Sequence, residues 1–324
     1  MKSSTLKALL IATTLLLAGP ALAQTKLKWA HVYETGEAYH KWALWAGDEI
    51  KKRTAGRYEV QVFPASSLGK ETDINQGLTL GTVDIIYTGQ AFAARTYPPL
   101  AIGGAPFMFR DVDHWKKYSD SAVLAELMEG YFKKGGNKPV AVTYYGVRHT
   151  TANKAINKPE DMVGLKLRVP DAPLYIMYPK TVGANATPIA FAEVYLALQN
   201  KTVDAQENPL PTIEAKKFHE VQSHINLTGH ITEMLLTIVS GQVWSKLGDA
   251  DRKIFEAVLK EAGAKATDDI VASENKLVDE FVTKYKKTVV RSDRAAFAAV
   301  FQKVHLGPDA TWDKALYDRL QAIK

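Results

Sequence analysis

The chain has 324 residues, with 41 lysines and arginines against 35 aspartates and glutamates, a formal charge of +6 and no cysteine. The missing thiol excludes disulfides, cysteine nucleophiles and thiolate metal sites together. The mild basic excess is interspersed; it fits small anionic ligands and argues against nucleic acid, which needs a concentrated basic stripe.

Lys2 and Lys7 precede ALLIATTLLLAGPALA, an apolar run too short and interrupted to span a bilayer, and Ala21-Leu22-Ala23 supplies a small-x-small cleavage site. Residues 1–23 therefore read as a secretory signal peptide, and export without disulfides points to a bacterial periplasm. The roughly 300 residues that follow exceed one comfortable core, so two domains are expected. Tyr39, Trp42, Ala43, Ala46 and Ile50 recur at helical spacing between Glu37 and Thr54. YEVQVF then alternates at period two and halts at Pro64, SLGKETDINQGLTLG predicts a helix, and TVDIIYTG a mostly buried strand. Such alternation predicts an α/β fold with largely parallel pairing.

Further on, VAVTYYGVRHTTANK reads as an apolar strand with Arg148 just beyond it, after Gly146. In GLKLRVPDAP, Leu165, Leu167 and Val169 share one face, Lys166 and Arg168 the other, and Pro170 ends the strand. A partial echo links the halves. A helix followed by Thr82-Val83-Asp84 in the first is matched in the second by the helix AEVYLALQN and Thr202-Val203-Asp204. Each TVD is expected to open a strand, with Thr88 and Asn208 near the matching carboxyl ends, where open α/β sheets bind ligands. The echo is short, and two unrelated helix–strand units could also produce it. After His230 the pattern changes to helix. From Asp249, a plausible N-cap, to about Lys286 there is no proline, which predicts a helix on the order of 55 Å that either spans both lobes or breaks near Gly263. Ser292 is expected to cap a last helix.

Arg168, Arg148 and Asn208 thus stand at predicted strand ends in one half of the chain. A guanidinium matches a carboxylate in bidentate geometry and keeps its charge, and an amide can donate to the same group. Taken singly, each arginine reads as a surface or structural ion pair; together they favour an anion site. Glu207 could be a general base but is more often an orienting partner for an arginine. His219, His224 and His230 match no zinc spacing, no G-x-S-x-G elbow or G-x-G-x-x-G loop occurs, and neither metal nor cofactor is expected.

GLKLRVP, FAEVYLALQNKTVDAQENP, FPASSLGKE, GTVDI and PFMFRD together resemble the solute-binding subunit of tripartite ATP-independent periplasmic (TRAP) transporters, of the dicarboxylate-binding type, over essentially all of the mature chain. The resemblance implies an α/β, two-lobed periplasmic-binding-protein-like fold. An interlobe ligand cleft and a long helix spanning both lobes come with it, and the protein does no chemistry. Lobe I is expected to comprise 24–146 plus about 234–273, and lobe II 147–233 plus about 274–324. It implies that Arg168 is the principal carboxylate ligand, Arg148 the second arginine and Asn208 the site amide, with Phe191 packing on the ligand. His31, Thr88 and Glu71 match positions that vary with ligand. AHVYETGEAYHKWALW, LGKETDINQGL and TYYGVRHTT resemble a branch binding sugar acids, with His31, Glu34, Glu71 and Gln90 as hydroxyl partners and D-glucuronate or D-galacturonate favoured. An aldonate, a keto acid or a dicarboxylate is the alternative ligand. Membrane permease subunits would be the partners of a monomeric chain. The rival classes are an exported sugar-acid hydrolase or isomerase using Glu71 or Glu207 as base, and a soluble sensor ectodomain.

Overall fold

The computed structural model describes residues 24–324; the signal peptide read at 1–23 lies outside the described residues. Among the described residues nine strands form one sheet: β1 Thr25–Ala30, β2 Tyr58–Phe63, β3 Ile85–Gly89, β4 Lys138–Ala152, β5 Lys166–Val169, β6 Asn185–Pro188, β7 Ala205–Pro209, β8 His224–Val239 and β9 Thr288–Val290. Their order is β2-β1-β3-β8-β4-β7-β5-β6, with β9 on β8. Each outer trio is parallel, β1 between β2 and β3 in one lobe, β5 between β6 and β7 in the other. The expected parallel pairing holds there and fails in the centre, where β4 and β8 run antiparallel over most of their length. β3 pairs with Leu235–Val239 of β8, whereas β7 pairs with Arg148–Ala152 of β4. These two long strands therefore pass from one lobe to the other.

Residues 230–239 correct an expectation: they are the second half of β8, not helix. Ile231, Thr232, Thr237, Ile238 and Val239 are β-branched and favour an extended backbone. Because the strand is buried on both faces, its apolar run shows no alternation from which to read a strand.

The TVD echo is a true structural repeat. Asp84 accepts from the Lys28 amide at 2.8 Å and returns its own amide to the Lys28 carbonyl at 3.0 Å. Asp204 does the same with Lys166, at 3.0 and 2.9 Å. Each triplet ties its helix to the middle strand, and the strand proper starts one residue later. Trp29 pairs with Ile85 and Ala30 with Ile86, as Leu167 pairs with Ala205 and Arg168 with Gln206. Arg168 therefore occupies the place of Ala30, and Asn208 the place of Thr88.

The long helix runs unbroken from Asp249 to Thr283, and its 35 residues span ~52 Å at the usual rise. Phe255, Val258, Leu259, Ala262, Ala266 and Ile270 join the main core, while Leu277 and Phe281 belong to a second core with Val194 and Phe218. Gly263 does not interrupt the helix but lets it approach β4: a Cβ there would lie 2.7 Å from the Val142 carbonyl oxygen. The helix Arg294–Phe301 is capped by Asp293, whose carboxylate accepts from Ala296, rather than by Ser292, whose hydroxyl donates to Ile156, and it is not the last, because helix Lys314–Gln321 follows. The segment assigned to close lobe II divides. β9 extends β8, but helix Lys314–Gln321 lies on helix Ala122–Gly135 of the first lobe, with Arg110 donating to the carbonyls of Gln321 and Ile323.

Gly263→Val should destabilise the fold by about 1–3 kcal/mol, because a backbone carbonyl cannot yield to the added methyls. Urea unfolding followed by circular dichroism measures this; an unchanged midpoint would mean that helix and strand separate freely.

Candidate functional site

Strand ends from both lobes meet around a cavity with about 500 Å³ of space between atoms, partly continuous with solvent. Pro170 stops β5 just beyond Arg168, so this side chain projects from a strand end into the cleft. Arg168 is 1 % exposed. Its Nε and Nη2 donate to the Ile189 carbonyl at 3.0 and 2.7 Å, and Nη1 has no partner among the described residues. Burial draws its pKa down to about 10, with Arg148 adding to the fall and Glu207 opposing it, so the group stays charged at neutral pH. Phe191 stands beside it, with the guanidinium 6.0 Å from the ring centre.

Arg148 differs from the sequence reading in two respects. It lies inside β4, not beyond it, because the strand continues through a bulge at Gly146. Gly146 takes φ +123°, and a Cβ there would lie 2.6 Å from a Glu274 oxygen and 2.7 Å from Pro209, so only glycine fits. Glu274, on the long helix, holds this bulge by accepting from the Val147 amide at 2.8 Å and the Tyr144 hydroxyl at 2.9 Å. Arg148 is also already paired. Its Nε and Nη2 donate to the two oxygens of Glu207, its Nη1 to Glu233 at 2.7 Å, and Nη2 also reaches Asn208 Oδ1 at 3.3 Å. Burial alone would raise the Glu207 pKa; Arg148 and His230 overcome it and hold the group at about 2. Asn208 lines the cavity, accepts from the Tyr145 hydroxyl at 3.1 Å and donates to Gln206 at 2.7 Å.

Glu71 opens helix Glu71–Leu80 and lines the cavity from the first lobe. Its Oε1 accepts from Thr88 and from the Gly89 amide, each at 2.9 Å. Burial, aided by Glu233, raises its pKa to about 7 against these donors. The other nominated residues stand behind the wall. Glu207 serves Arg148 and His230, and Thr88 orients Glu71. Gln90 is fully buried and reaches towards the Leu100 carbonyl. His31 packs on His40 and Tyr33, its pKa lowered to about 3 by burial and then by His40. Glu34 leaves the cavity to pair with Lys216 at 2.7 Å. That contact ties the loop after β1 to the residue capping the helix after β7. Asp171, in the loop after β5, likewise meets Arg95 beyond β3: Arg95 donates to its carbonyl at 2.6 Å, and the carboxylate lies at 3.7 Å.

Sequence reasoning missed Tyr33, Tyr145, Tyr175 and Glu233, all of which line the cavity. Tyr145 was readable, since it lies three residues before Arg148 in TYYGVR. Glu233 was hidden because its strand was read as helix. The resulting wall offers an unpartnered guanidinium nitrogen, aromatic faces and carboxylate acceptors. It can clamp one carboxylate and take hydrogen bonds from hydroxyls.

Glu71→Gln should gain stability relative to the parent as pH rises from 5 to 8. The folded value of about 7 lies above the ordinary 4.5, so the parent's protonated Glu71 contributes stability that is fully present below 4.5 and lost as pH rises through about 7. Glutamine stays neutral throughout. Paired thermal melts at pH 5 and pH 8 measure the gap; a gap independent of pH would refute the buried, protonated carboxyl.

Residues 29–307 match the profile of bacterial extracellular solute-binding proteins, family 7. The sialic acid-binding periplasmic protein of Vibrio cholerae serotype O1 is 32 % identical over 310 residues, 96 % of each chain. A TRAP periplasmic solute-binding protein from Polaromonas sp. JS666, bound to D-erythronate, superposes with a TM-score of 0.88 at 33 % identity, covering 93 % of this chain and 99 % of that one. A counterpart from Sulfurospirillum deleyianum with bound succinate gives 0.87 at 28 %, covering 93 % and 100 %. With its two parallel strand trios joined by crossing strands around an arginine-bearing cleft, the chain belongs to the family 7 solute-binding proteins of TRAP transporters.

Proposed function

We propose that the chain is the periplasmic subunit of a TRAP transporter and captures a polyhydroxy monocarboxylate, a sugar acid, for delivery to membrane permease subunits. The observation that carries this reading is Arg168 Nη1, a buried cationic donor without a partner, at the wall of the cavity. A buried donor left unmade costs about 1–3 kcal/mol, which an incoming carboxylate would recover. Asn208 and the Phe191 face complete the acid end, with Arg148 held behind them by Glu207. Glu71 and the tyrosine hydroxyls take up the ligand's hydroxyl groups. Relatives that bind sialic acid and D-erythronate support the ligand class.

D-glucuronate and D-galacturonate remain the favoured compounds, with aldonates of the same length as their nearest rivals. His31, Gln90 and Glu34, expected to serve the hydroxyls of a hexuronate, stand outside the cavity lining, so that preference now rests on Glu71 and the tyrosines. The lobes divide where β4 bulges at Gly146, near Glu233 in β8 and near Ser273 in the long helix, and closure brings the two strand-end surfaces together. Micromolar capture requires about 8 kcal/mol, which a few charge-assisted hydrogen bonds supply in large part. The ligand leaves unaltered: incubation with the protein should return every acid intact by NMR, and any turnover would favour the hydrolase or isomerase reading.

Arg168→Lys should lower affinity for the bound acid ~100-fold, since a point charge replaces a planar fork. A thermal-shift screen of uronates, aldonates and dicarboxylates identifies the acid, and calorimetry on the variant measures the loss. Unchanged binding would remove Arg168 from the site.

A further inference from the structure

Arg148 holds one carboxylate more than its neutralisation needs. Arg148 is already matched by Glu207 through two parallel N–H···O contacts, the bidentate arrangement that neutralises a guanidinium. Glu233 is nevertheless present, fully buried, with Oε2 accepting from Arg148 Nη1 at 2.7 Å and Oε1 accepting from the Tyr175 hydroxyl. Each of its oxygens takes one donor, whereas a glutamine would turn an NH2 group towards one of them. The carboxylate also brings charge to a place where Arg148 is already neutralised, and burying a charge is costly unless it is paired. It faces the same side as Glu71: a Cβ built at Gly89 would lie 3.3 Å from Glu233 Oε1 and 3.9 Å from Glu71 Oε1. Lys70 and Asp171 stand at the rim with opposite signs, and Asp171 is engaged by Arg95.

We infer that Glu233 is a specificity-determining residue that occupies the free face of Arg148. It converts a cleft with two arginines into one with a single open anion receptor, Arg168, and so selects monocarboxylates against dicarboxylates. The inference rests on the sugar-acid reading above and names the charge of its substrate. A second ligand carboxylate brought to the Arg148 face would meet Glu233 in place of a free guanidinium, and like charges brought together away from water repel strongly. A hydroxyl in the same place can donate to Glu233 or Glu71.

The test uses matched open-chain acids that differ only in oxidation of the last carbon: D-gluconate with D-glucarate, D-galactonate with galactarate, and D-erythronate with meso-tartrate. Calorimetry on the wild type should show a preference for the monoacid of at least ~30-fold in the pair that binds. Glu233→Gln should bring this ratio below ~3-fold by strengthening diacid binding, while Glu233→Asp, which keeps the charge, should retain it. A wild type that binds both acids of a pair equally overturns the inference and leaves the sugar-acid reading standing, and this needs no variant to fold. An unchanged ratio in a folded Glu233→Gln also overturns it, as does equal loss in the Gln and Asp variants. A wild type that binds neither acid of any pair is read by the same ratio on D-glucuronate against D-glucarate and D-galacturonate against galactarate; binding none of these acids overturns the sugar-acid reading and this inference together.

Discussion

The site depends on a guanidinium that its own protein leaves incomplete. Arg168 is buried against a single backbone carbonyl and retains one donor aimed into the cleft. A charged group taken out of water is costly unless something pairs with it. Here the protein supplies a carbonyl dipole and an aromatic ring, but no carboxylate within ion-pair distance among the described residues. Arg148 has the opposite treatment, two glutamates and an amide oxygen. In the proposed reading the contrast separates a receptor from a strut: Arg168 would take a ligand's acid group, and Arg148, held by its glutamates, ties the strand ends around it.

That arrangement follows from duplication. Two parallel trios with the same aspartate tie face each other across the long crossing strands. The register places Ala30 where the second lobe has Arg168, and Thr88 where it has Asn208. The second lobe thus holds the proposed receptor, while the first contributes Glu71 and Tyr33 to the cavity wall.

Much of this was legible from local chemistry. A strand that ends in Arg-Val-Pro, and a TVD triplet repeated at the same distance from two candidate sites, pointed to Arg168 and Asn208 before any coordinates. The long helix was legible from its stripe and lack of proline; whether it broke at Gly263 depended on a contact with Val142 that lies far away in sequence. His31 was misplaced because proximity to a strand end does not reveal the face. It sits one residue beyond the place equivalent to Arg168, and successive strand side chains point to opposite sides. Gln90 opens the helix Gln90–Ala93 instead of ending a strand and turns to the Leu100 carbonyl, and Glu233 was lost with its strand. Fully buried strands carry no alternation, so their inward charges cannot be located from one sequence.

The facing copies also have a mechanical consequence at the rims. Each lobe's acidic loop meets a base beyond the other's third strand, Glu34 with Lys216 on one side and Asp171 with Arg95 on the other. The first pair is well shielded, with side chains 14 % and 31 % exposed, while both members of the second are 47 % exposed. Dissolved ions weaken exposed pairs much more than shielded ones. The two rims are therefore fastened unevenly, and a saltier medium weakens the Asp171–Arg95 ion pair more than the Glu34–Lys216 one.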